Sequence, residues 1–461
     1  MASNSDEPNK LGQHFLVDCH AMNRRLALIS EHASPLATAG GVDAGGQNIA
    51  VAELAQHLAK LGYEIDIFTR WEHADVALLV HWKPNIRVIH LKAGPIECLP
   101  KEELLPHMPE FTDNFIAFVR CQDEPYQLIH AHFFMSALVA ADARKVLHIP
   151  YVITFHALGK VRRISQGDSD KFPADRFAIE ERVIREADHL VALCPQDRDD
   201  LITLYDADPE KVTIIPNGFN PYEFYAIDRT LARTLLKLDP DETIILQLGR
   251  IVPRKGIDNV VQAVSCLKKK YGIKTRLLVV GGESDCADPV TTPEIGRLQH
   301  LAEQEGIADR VTFVGRRDRN LLRYYYSAAN VFVTTPWYEP FGITPLEAMA
   351  CGTPVVGARV GGIQYTIVDG QTGLLVPPKA PDLLAEKLKL LIQHPRIAHA
   401  LRARALRHVY REFTWLNVAH KTAALYEKLG VASPANRGTS VRGIEKSLRN
   451  PLPATQLSRT A

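Results

Sequence analysis

The sequence predicts an α/β protein built from two doubly wound, Rossmann-like domains that face each other across a cleft. The chain has 461 residues, and a typical domain has about 150. Hydrophobic residues make up 46% of it, which is enough for more than one core. Short apolar runs alternate with helical segments in both halves of the chain. This alternation is typical of parallel sheets that helices cover on both faces.

In the first half, seven apolar runs have the length and composition of buried strands. Amphipathic segments separate them, and between residues 45 and 62 the apolar residues fall largely on one helical face. We therefore predict a first domain over residues 23–218, after a flexible N-terminus at residues 1–22. The runs are "RLALIS" (25–30), "EIDIFTR" (64–70), "IRVIHL" (86–91), "LIHAH" (128–132), "YVITFH" (151–156), "HLVALC" (189–194) and "VTIIP" (212–216).

The second half repeats the scheme with six further runs. A cluster of Pro, Gly and Asn in "IIPNGFNPYEF" (214–224) marks the join, and the second domain is predicted over residues 219–410. A last helical stretch follows at residues 395–430. The tail at 431–461 is rich in Ser, Pro and Arg and is predicted to be disordered. The six runs are "TIILQLG" (243–249), "RLLVVGG" (276–282), "VTFVG" (311–315), "NVFVTT" (330–335), "PVVGA" (354–358) and "GLLVPP" (373–378).

The composition excludes several functional classes. The net charge is +1, so no global field attracts nucleic acid or an anionic membrane. No apolar run approaches the ~20 residues that span a bilayer, and the polar N-terminus has no secretory signal. The seven cysteines form no C-x-x-C pair, which indicates free thiols in a reducing compartment. We therefore expect a cytoplasmic protein.

A Gly-rich loop, "SEHASPLATAGGVDAGGQN" (30–48), follows the first strand and leads into a helix near Gly45 and Gly46. Free N–H groups at a helix N-terminus bind anions, and adjacent glycines let a phosphate or a sugar approach the backbone. The loop matches neither common nucleotide fingerprint. The alternative is a flexible connection without a ligand.

A second motif, "LGRIVPRKGIDNVVQAV" (248–264), places Arg250 and Lys255 between a strand end and a helix that starts near Gly256. A guanidinium and an ammonium at the ligand-binding end of a parallel strand suit a diphosphate. The alternative is that both are solvated loop cations.

The third motif holds two carboxylates, Glu339 and Glu347, in "PWYEPFGITPLEAMACGTPVV" (336–356). Thr344 is a natural N-cap and Pro345 a natural first residue of a helix, which predicts that Glu347 completes a capping box. Glu339 then lies in the preceding loop, where no helix cap explains it. A glycosidase pair is one interpretation. In the other, both carboxylates accept hydrogen bonds from sugar and ribose hydroxyls, and the amides at the helix start bind charged oxygens.

His156, at the end of "YVITFH", is able to donate a hydrogen bond or carry a proton in a cleft, although a lone histidine is more often structural. No metal-binding pattern is present. The nearest is "GDSD" (167–170), which lies in a polar linker rather than at a strand end.

Three motifs occur in one chain and in one order: Gly-Gly before the first helix, Gly-Arg-x4-Lys-Gly, and Glu-x7-Glu inside "EPFGITPLEAMACGTPVV". Together they resemble the retaining GT-B glycosyltransferases of group 1 (family 4). The resemblance runs from about residue 24 to about residue 429. It implies a metal-independent enzyme without a cofactor that retains the anomeric configuration by front-face attack. It also implies that a helix at residues 411–430 crosses back to the first domain.

The resemblance implies roles for the matching residues. Glu347 corresponds to the residue that holds the nucleotide ribose, Glu339 to the one that holds a sugar hydroxyl, and His156 to the histidine near the anomeric centre. Arg250 and Lys255 correspond to the diphosphate clamp. The catalytic set is thus His156, Glu339, Arg250 and Lys255, and the further donor-binding residues are Gly45, Gly46, Arg316, Phe341, Gly342, Ile343, Thr344 and Glu347.

Within the family, the stretch at 40–70 is similar to sucrose-phosphate synthases and to the inositol-phosphate N-acetylglucosaminyltransferases of mycothiol synthesis. "TFHALGKVRR" and "AGPIECLPKEEL" favour the second group. The positions that correspond to acceptor contacts are Asn48, Lys101, Phe133, Ala157 and Arg176. Two of them depart from the pattern, because Phe133 replaces a Tyr and Ala157 replaces a Thr. Each change removes a hydroxyl that would meet an acceptor phosphate.

The sequence therefore predicts a hexosyltransferase that uses a nucleotide-diphosphate sugar, with UDP as the expected nucleotide, and a small polar or phosphorylated acceptor. The alternatives are a sucrose-phosphate-synthase-like enzyme acting on fructose 6-phosphate and a GT-B-shaped sugar-nucleotide epimerase. No nucleic acid is expected as a partner. The oligomeric state is not predicted.

Overall fold

The computed structural model of the protein describes residues 24–37, 45–167 and 170–432. The predicted flexible N-terminus at 1–22 and nearly all of the predicted tail at 431–461 lie outside these residues. So do residues 38–44 of the Gly-rich loop and the centre of "GDSD".

The first sheet has eight strands in the order β3-β4-β2-β1-β5-β6-β7-β8. All neighbouring pairs are parallel except β3 and β4. All seven predicted runs form strands; β3, a partly exposed edge strand, was not predicted. Its sequence, "LVHWK", mixes polar and apolar residues and gives no clear signal. The strands are β1 (Arg25–Ile29), β2 (Glu64–Arg70), β3 (Leu79–Lys83), β4 (Ile86–Leu91), β5 (Leu128–His132), β6 (Tyr151–Thr154), β7 (His189–Ala192) and β8 (Val212–Ile214).

Six described helices connect the strands of the first sheet, and the apolar side chains between the helices and the sheet form two buried clusters, one on each face. The right-handed crossovers that join parallel strands place helices on both faces in this way. The helices are α1 (Gly46–Lys60), α2 (Met108–Arg120), α3 (Phe134–Leu147), α4 (Gly159–Gln166), α5 (Asp175–Glu186) and α6 (Pro195–Tyr205).

The second sheet has six strands in the order β11-β10-β9-β12-β13-β14, and all its pairs are parallel. Each of the six predicted runs forms one of these strands. Most of their residues are buried, as continuous apolar runs in parallel sheets usually are. The strands are β9 (Ile244–Leu248), β10 (Arg276–Val280), β11 (Val311–Gly315), β12 (Val331–Thr334), β13 (Val355–Ala358) and β14 (Leu374–Val376).

Helices again cover both faces of this sheet, over two further apolar clusters. None of the described helices is long and apolar enough to cross a membrane. The helices of the second half are α7 (Arg229–Leu236), α8 (Ile257–Tyr271), α9 (Pro293–Gln304), α10 (Arg319–Ala328), α11 (Thr344–Ala350), α12 (Ile363–Thr366), α13 (Pro381–Gln393) and α14 (Pro395–Glu412).

The last helical stretch of the sequence forms two helices rather than one. It breaks after α14, where Phe413 and Thr414 pair with the backbone of Phe219. Thr414 then caps α15 (Trp415–Lys428) by accepting a hydrogen bond from the Asn417 amide. Helix α15 packs on α1 and on the first sheet with Trp415 fully buried. The chain therefore ends, within its described part, on the half where it began.

Candidate active site

A cavity of about 350 Å³ lies between the two sheets, at the carboxyl ends of their strands. Residues from both halves line it: Gly45 and Gly46 at the start of α1 and His156 after β6 on one side, and Gly249 after β9 on the other. Ligands of open parallel sheets bind at this edge. The cavity is therefore the candidate active site.

Helix α1 begins at the cavity wall. Gly45 has extended backbone angles, and its amide donates a hydrogen bond to Oδ1 of Asn48. The Asn48 Nδ2 group donates to the Ser34 carbonyl, so the buried amide ties the helix start to the preceding loop. A Cβ added at Gly46 would lie 3.9 Å from the Ile343 side chain of the other half. The two halves therefore approach closely at this point.

The loop after β9 carries Lys255 to the cavity, where its ammonium forms an ion pair with Glu339. Arg254 lies 3.8 Å from the same carboxylate. Burial opposes ionisation of Glu339, but these two cations hold the pKa of its carboxyl below the usual value. Gly256 has φ +62°, and a Cβ there would collide with the Thr335 carbonyl. The glycine after the lysine thus lets this loop pack on the end of β12.

Glu339 lies in the loop between β12 and α11, as predicted. The chain turns sharply at Gly342, whose φ is +85°. A Cβ at Gly361 or Gly362 would collide with the backbone of Glu339 or Phe341 respectively. The Gly-Gly pair that follows β13 therefore allows this loop to sit against the sheet, and it positions the amides before α11 at the cavity.

The predicted capping box is wrong. Helix α11 begins at Thr344, its N-cap is Ile343, and no side chain caps it. Instead, the Glu347 carboxylate accepts hydrogen bonds from Arg319 at 3.1 Å and from the Tyr326 hydroxyl at 2.9 Å. Burial raises the pKa of Glu347 even though Arg319 and Tyr326 favour its charged form. Two α10 side chains, rather than backbone amides at the helix start, therefore hold its carboxylate.

His156 is the outer member of a stack of three imidazoles. Its ring centroid lies 5.2 Å from that of His132, whose ring lies 4.2 Å from that of His130. The His132 Nδ1 and His156 Nε2 atoms are 3.0 Å apart. Burial lowers the pKa of both His130 and His156 to about 3. The stack is therefore neutral at pH 7, and His156 meets a ligand as a hydrogen-bonding group rather than as a cation.

Most of the residues predicted to bind the acceptor do not line the cavity, unlike those predicted to bind the donor. Of the five, only Ala157 lines the cavity. Arg176 is fully buried; it donates to Glu180 at 2.7 Å and to the Ala157 carbonyl at 2.6 Å. Its guanidinium lies 4.9 Å from the ring of Phe133. Lys101, which begins a 3₁₀ turn, and Asn48 lie outside the lining. Their role in acceptor binding stays a prediction.

Several lining residues were not identified from the sequence. Three of them are cations of the second half, Arg254, Arg317 and Arg319, which join the predicted Arg250 and Arg316. Arginines of this kind have no sequence signal, because only the folded chain brings the loop after β11 next to the loop after β9. In the described part of the chain, no group of three or more His, Cys, Asp or Glu residues is arranged to hold a metal ion.

Two facing parallel sheets with a cleft between their carboxyl edges define the GT-B architecture. Two family models match the chain: "Glycosyl transferase 4-like domain" over residues 45–218 and "Glycosyl transferases group 1" over residues 228–408. The D-inositol 3-phosphate glycosyltransferase of Actinosynnema mirum is 37% identical over 87% of this chain and 97% of its own length. Its counterpart in Corynebacterium glutamicum is 33% identical over 87% and 96%. The chain therefore belongs to the group 1 glycosyltransferases and is a hexosyltransferase.

Solved structures agree with this fold. The sucrose-phosphate synthase of Thermosynechococcus elongatus has a TM-score of 0.81 and 35% identity, over 89% of this chain and all of that chain. The Anabaena HepE protein, solved in complex with UDP-glucose, has a TM-score of 0.68 at 18% identity, over 88% of this chain and 99% of its own. The second similarity concerns the fold alone.

Proposed function

We propose that the enzyme transfers a hexosyl group from a nucleotide-diphosphate sugar, with UDP as the nucleotide, to a hydroxyl of a small polar acceptor. We propose further that the anomeric configuration is retained and that no metal is needed. The resemblance of the three motifs to retaining enzymes supports both proposals. We propose a reducing compartment such as the cytoplasm; the six described cysteines form no disulfide with one another.

The observation that carries the proposal is the charge on the wall of the second half. Six cations line this wall, against two carboxylates, Glu339 and Glu347. A diphosphate supplies the missing negative charge, and guanidinium groups bind its oxygens in pairs. This arrangement takes the place that a divalent cation has in other transferases. The six are Arg250, Arg254, Lys255, Arg316, Arg317 and Arg319.

In the proposed reaction, the protein binds and orients the substrates and stabilises charge, and it forms no covalent bond with them. The bond from the anomeric carbon to the diphosphate oxygen breaks while a bond to the acceptor oxygen forms on the same face. The acceptor proton passes to the leaving diphosphate. Arg250 and Lys255 stabilise the charge that develops on that group. Glu339 and the neutral His156 hold sugar hydroxyls, and Glu347 holds the ribose.

Two relatives suggest the acceptor. The D-inositol 3-phosphate glycosyltransferases are named for a phosphorylated polyol, and sucrose-phosphate synthase is named for a sugar phosphate product. The second candidate, an enzyme that acts on fructose 6-phosphate, is favoured by the TM-score of 0.81. No comparison supports an epimerase.

A donor-by-acceptor screen tests the proposal. UDP-, GDP- and ADP-sugars are combined with inositol phosphate, fructose 6-phosphate and unphosphorylated sugars, and the released nucleotide is measured. We expect release of UDP that depends on the acceptor, and an α-linked product from an α-linked donor by NMR. Interconversion of UDP-sugars without an acceptor would instead identify an epimerase, and an inverted product would overturn the retaining mechanism.

A further inference from the structure

A second cavity, of about 290 Å³, lies in the second half of the chain, away from the cleft. Thr243, Asn330 and Pro354 line it, and they come directly before β9, β12 and β13. These strands are neighbours in the sheet. The donor cavity lies past their other ends, so the two sites are separated by the length of a five-residue strand, about 16 Å at ~3.3 Å per residue.

Two arginines and a histidine line this second cavity, without acidic residues in the described part of the chain. Arg229, His399 and Arg402 contribute to its wall, and no lining residue within the described chain is an Asp or a Glu. Among the described residues, neither Arg229 nor Arg402 donates a hydrogen bond or lies within 4.0 Å of a carboxylate. The neighbouring Arg233 differs, because its guanidinium is bonded to the Ala328, Asp239 and Pro240 carbonyls and to Asn330. Arg233 is a structural residue, and the other two guanidinium groups are available.

The other polar groups add to the positive character of the site. Asn330 accepts hydrogen bonds at Oδ1 from Arg233 and from the Ile244 amide, both at 2.8 Å. Its acceptor capacity is thus used, and only its Nδ2 donors remain. The charges of Arg233 and Arg402 lie near Arg229 and oppose its charge, whereas Asp228, the preceding residue, favours it. A bound anion would relieve this repulsion.

The Arg402 guanidinium packs against the backbone of Gly352. A Cβ added at Gly352 would lie 2.8 Å from its Nε atom, so the guanidinium rests directly on the glycine backbone. The remaining wall is apolar and includes Leu391 and Ile392. The volume is near the lower end of the roughly 300–1,000 Å³ of small-molecule sites.

We propose that this cavity, which we name the Arg229/Arg402 site, is a second binding site that takes the phosphoryl group of a small phosphorylated molecule. Two guanidinium groups, an imidazole and an amide match the oxygens of a dianion. The apolar wall accommodates the organic part. The site is independent of the donor cleft and of the function proposed for it.

The test is calorimetric titration of the full chain with inorganic phosphate and with a hexose 6-phosphate. The starting protein carries Arg250→Ala and Lys255→Ala, which weaken anion binding in the cleft. We expect it to bind the hexose phosphate, and Arg229→Gln with Arg402→Gln to weaken this binding at least a hundredfold. The matched control is Arg396→Gln with Arg407→Gln, which removes two charges from α14 outside the cavity; it should retain the affinity within about threefold.

Equal affinity in the Arg229/Arg402 variant and its parent would overturn the proposal, as would the absence of binding at millimolar ligand. Tighter binding of phosphate alone than of the hexose phosphate would show that the apolar wall has no role. If the double variant melts early, Arg229→Gln alone, a change at an exposed residue, replaces it under the same criteria. Crystals soaked in tungstate locate the anion: an anomalous peak beside Arg402 supports the site, and peaks in the cleft alone contradict it.

Discussion

The two walls of the cleft differ in the balance of their charged side chains. Among the described lining residues, the wall from the second half gathers six cations and two carboxylates, and two further acids behind it, Glu223 and Asp285, pair with Arg319 and Arg316. On the facing wall, Arg162 is the lining cation among the described residues, and it pairs with Asp170 at 3.0 Å; Arg176, which is buried behind the wall, pairs with Glu180 at 2.7 Å. The His156 stack there is uncharged. A charged ligand group is therefore expected on the first wall and neutral hydroxyls on the second.

This difference has a physical reason. Like charges gathered in one wall repel each other, so an anionic ligand stabilises a wall in which cations outnumber carboxylates. A wall whose charged side chains are paired with each other binds a ligand through hydrogen bonds and shape complementarity. The predictions below test this contrast, from the largest expected effect to the smallest.

The largest effect is expected on the cationic wall. Arg250→Ala, Lys255→Ala and Glu339→Ala should each lower kcat at least a hundredfold, because each removes a partner of the charged or reacting part of the donor. The measurement is acceptor-dependent nucleotide release at saturating donor. Lys237→Ala, a change at a helix C-cap outside the cavity, is the control. Normal turnover in all three variants would refute the charge contrast and the mechanism.

The neutrality of the histidine stack predicts a pH dependence of stability. Burial holds the pKa of His130 at about 3, below its ordinary value of 6.5, so the unfolded chain binds more protons below pH 6.5. The free energy of unfolding should therefore fall as pH drops through 6.5, and His130 alone should account for about 2 kcal/mol by pH 5.

Thermal melts of the wild type and of His130→Gln between pH 7.5 and 5 provide the measurement. The variant should lose this part of the pH dependence. His300→Gln, at an exposed position, should keep it. An identical slope in His130→Gln and the wild type would mean that the stack is charged in the folded state.

Arg319 should affect the donor through Glu347. It bridges Glu347 at 3.1 Å and Glu223 at 2.7 Å. Arg319→Met leaves the Glu347 carboxylate with Tyr326 as its remaining side-chain partner, so we expect the donor KM to rise about tenfold with little change in kcat. Arg319→Lys should restore part of the loss. Arg323→Met, on the same helix but outside the cavity lining, is the control. An unchanged donor KM would rule out this positioning role.

The smallest effect concerns the neutral wall. Phe133→Tyr and Ala157→Thr place hydroxyls near Arg176, whose guanidinium lies against Phe133 and donates to the Ala157 carbonyl. We expect the double variant to raise kcat/KM for a phosphorylated acceptor several-fold relative to its unphosphorylated form, because each hydroxyl adds a donor for the phosphate. Phe172→Tyr, at another ring over Arg176, controls for general polarity. A ratio that does not change would show that the acceptor phosphate, if one is used, binds elsewhere.

Most of the fold follows from sequence alone. Thirteen of the fourteen strands coincide with apolar runs, because a strand buried on both faces has few polar residues. The exception, β3, is a half-exposed edge. The sequence also placed Glu339 in a loop and Lys255 before a helix, because prolines and glycines mark those boundaries.

Only the tertiary structure decided which groups meet. Local spacing assigned Glu347 to a capping box, but Arg319 and Tyr326 on α10 hold its carboxylate. The pairing of Lys255 with Glu339 joins residues 84 positions apart. Helix propensity and strand pattern are local properties, whereas the charge state of a cavity is a sum over loops that only the folded sheets bring together. The sequence therefore determined which strands and loops form the walls of the cleft, and the tertiary structure decided which wall carries a net charge.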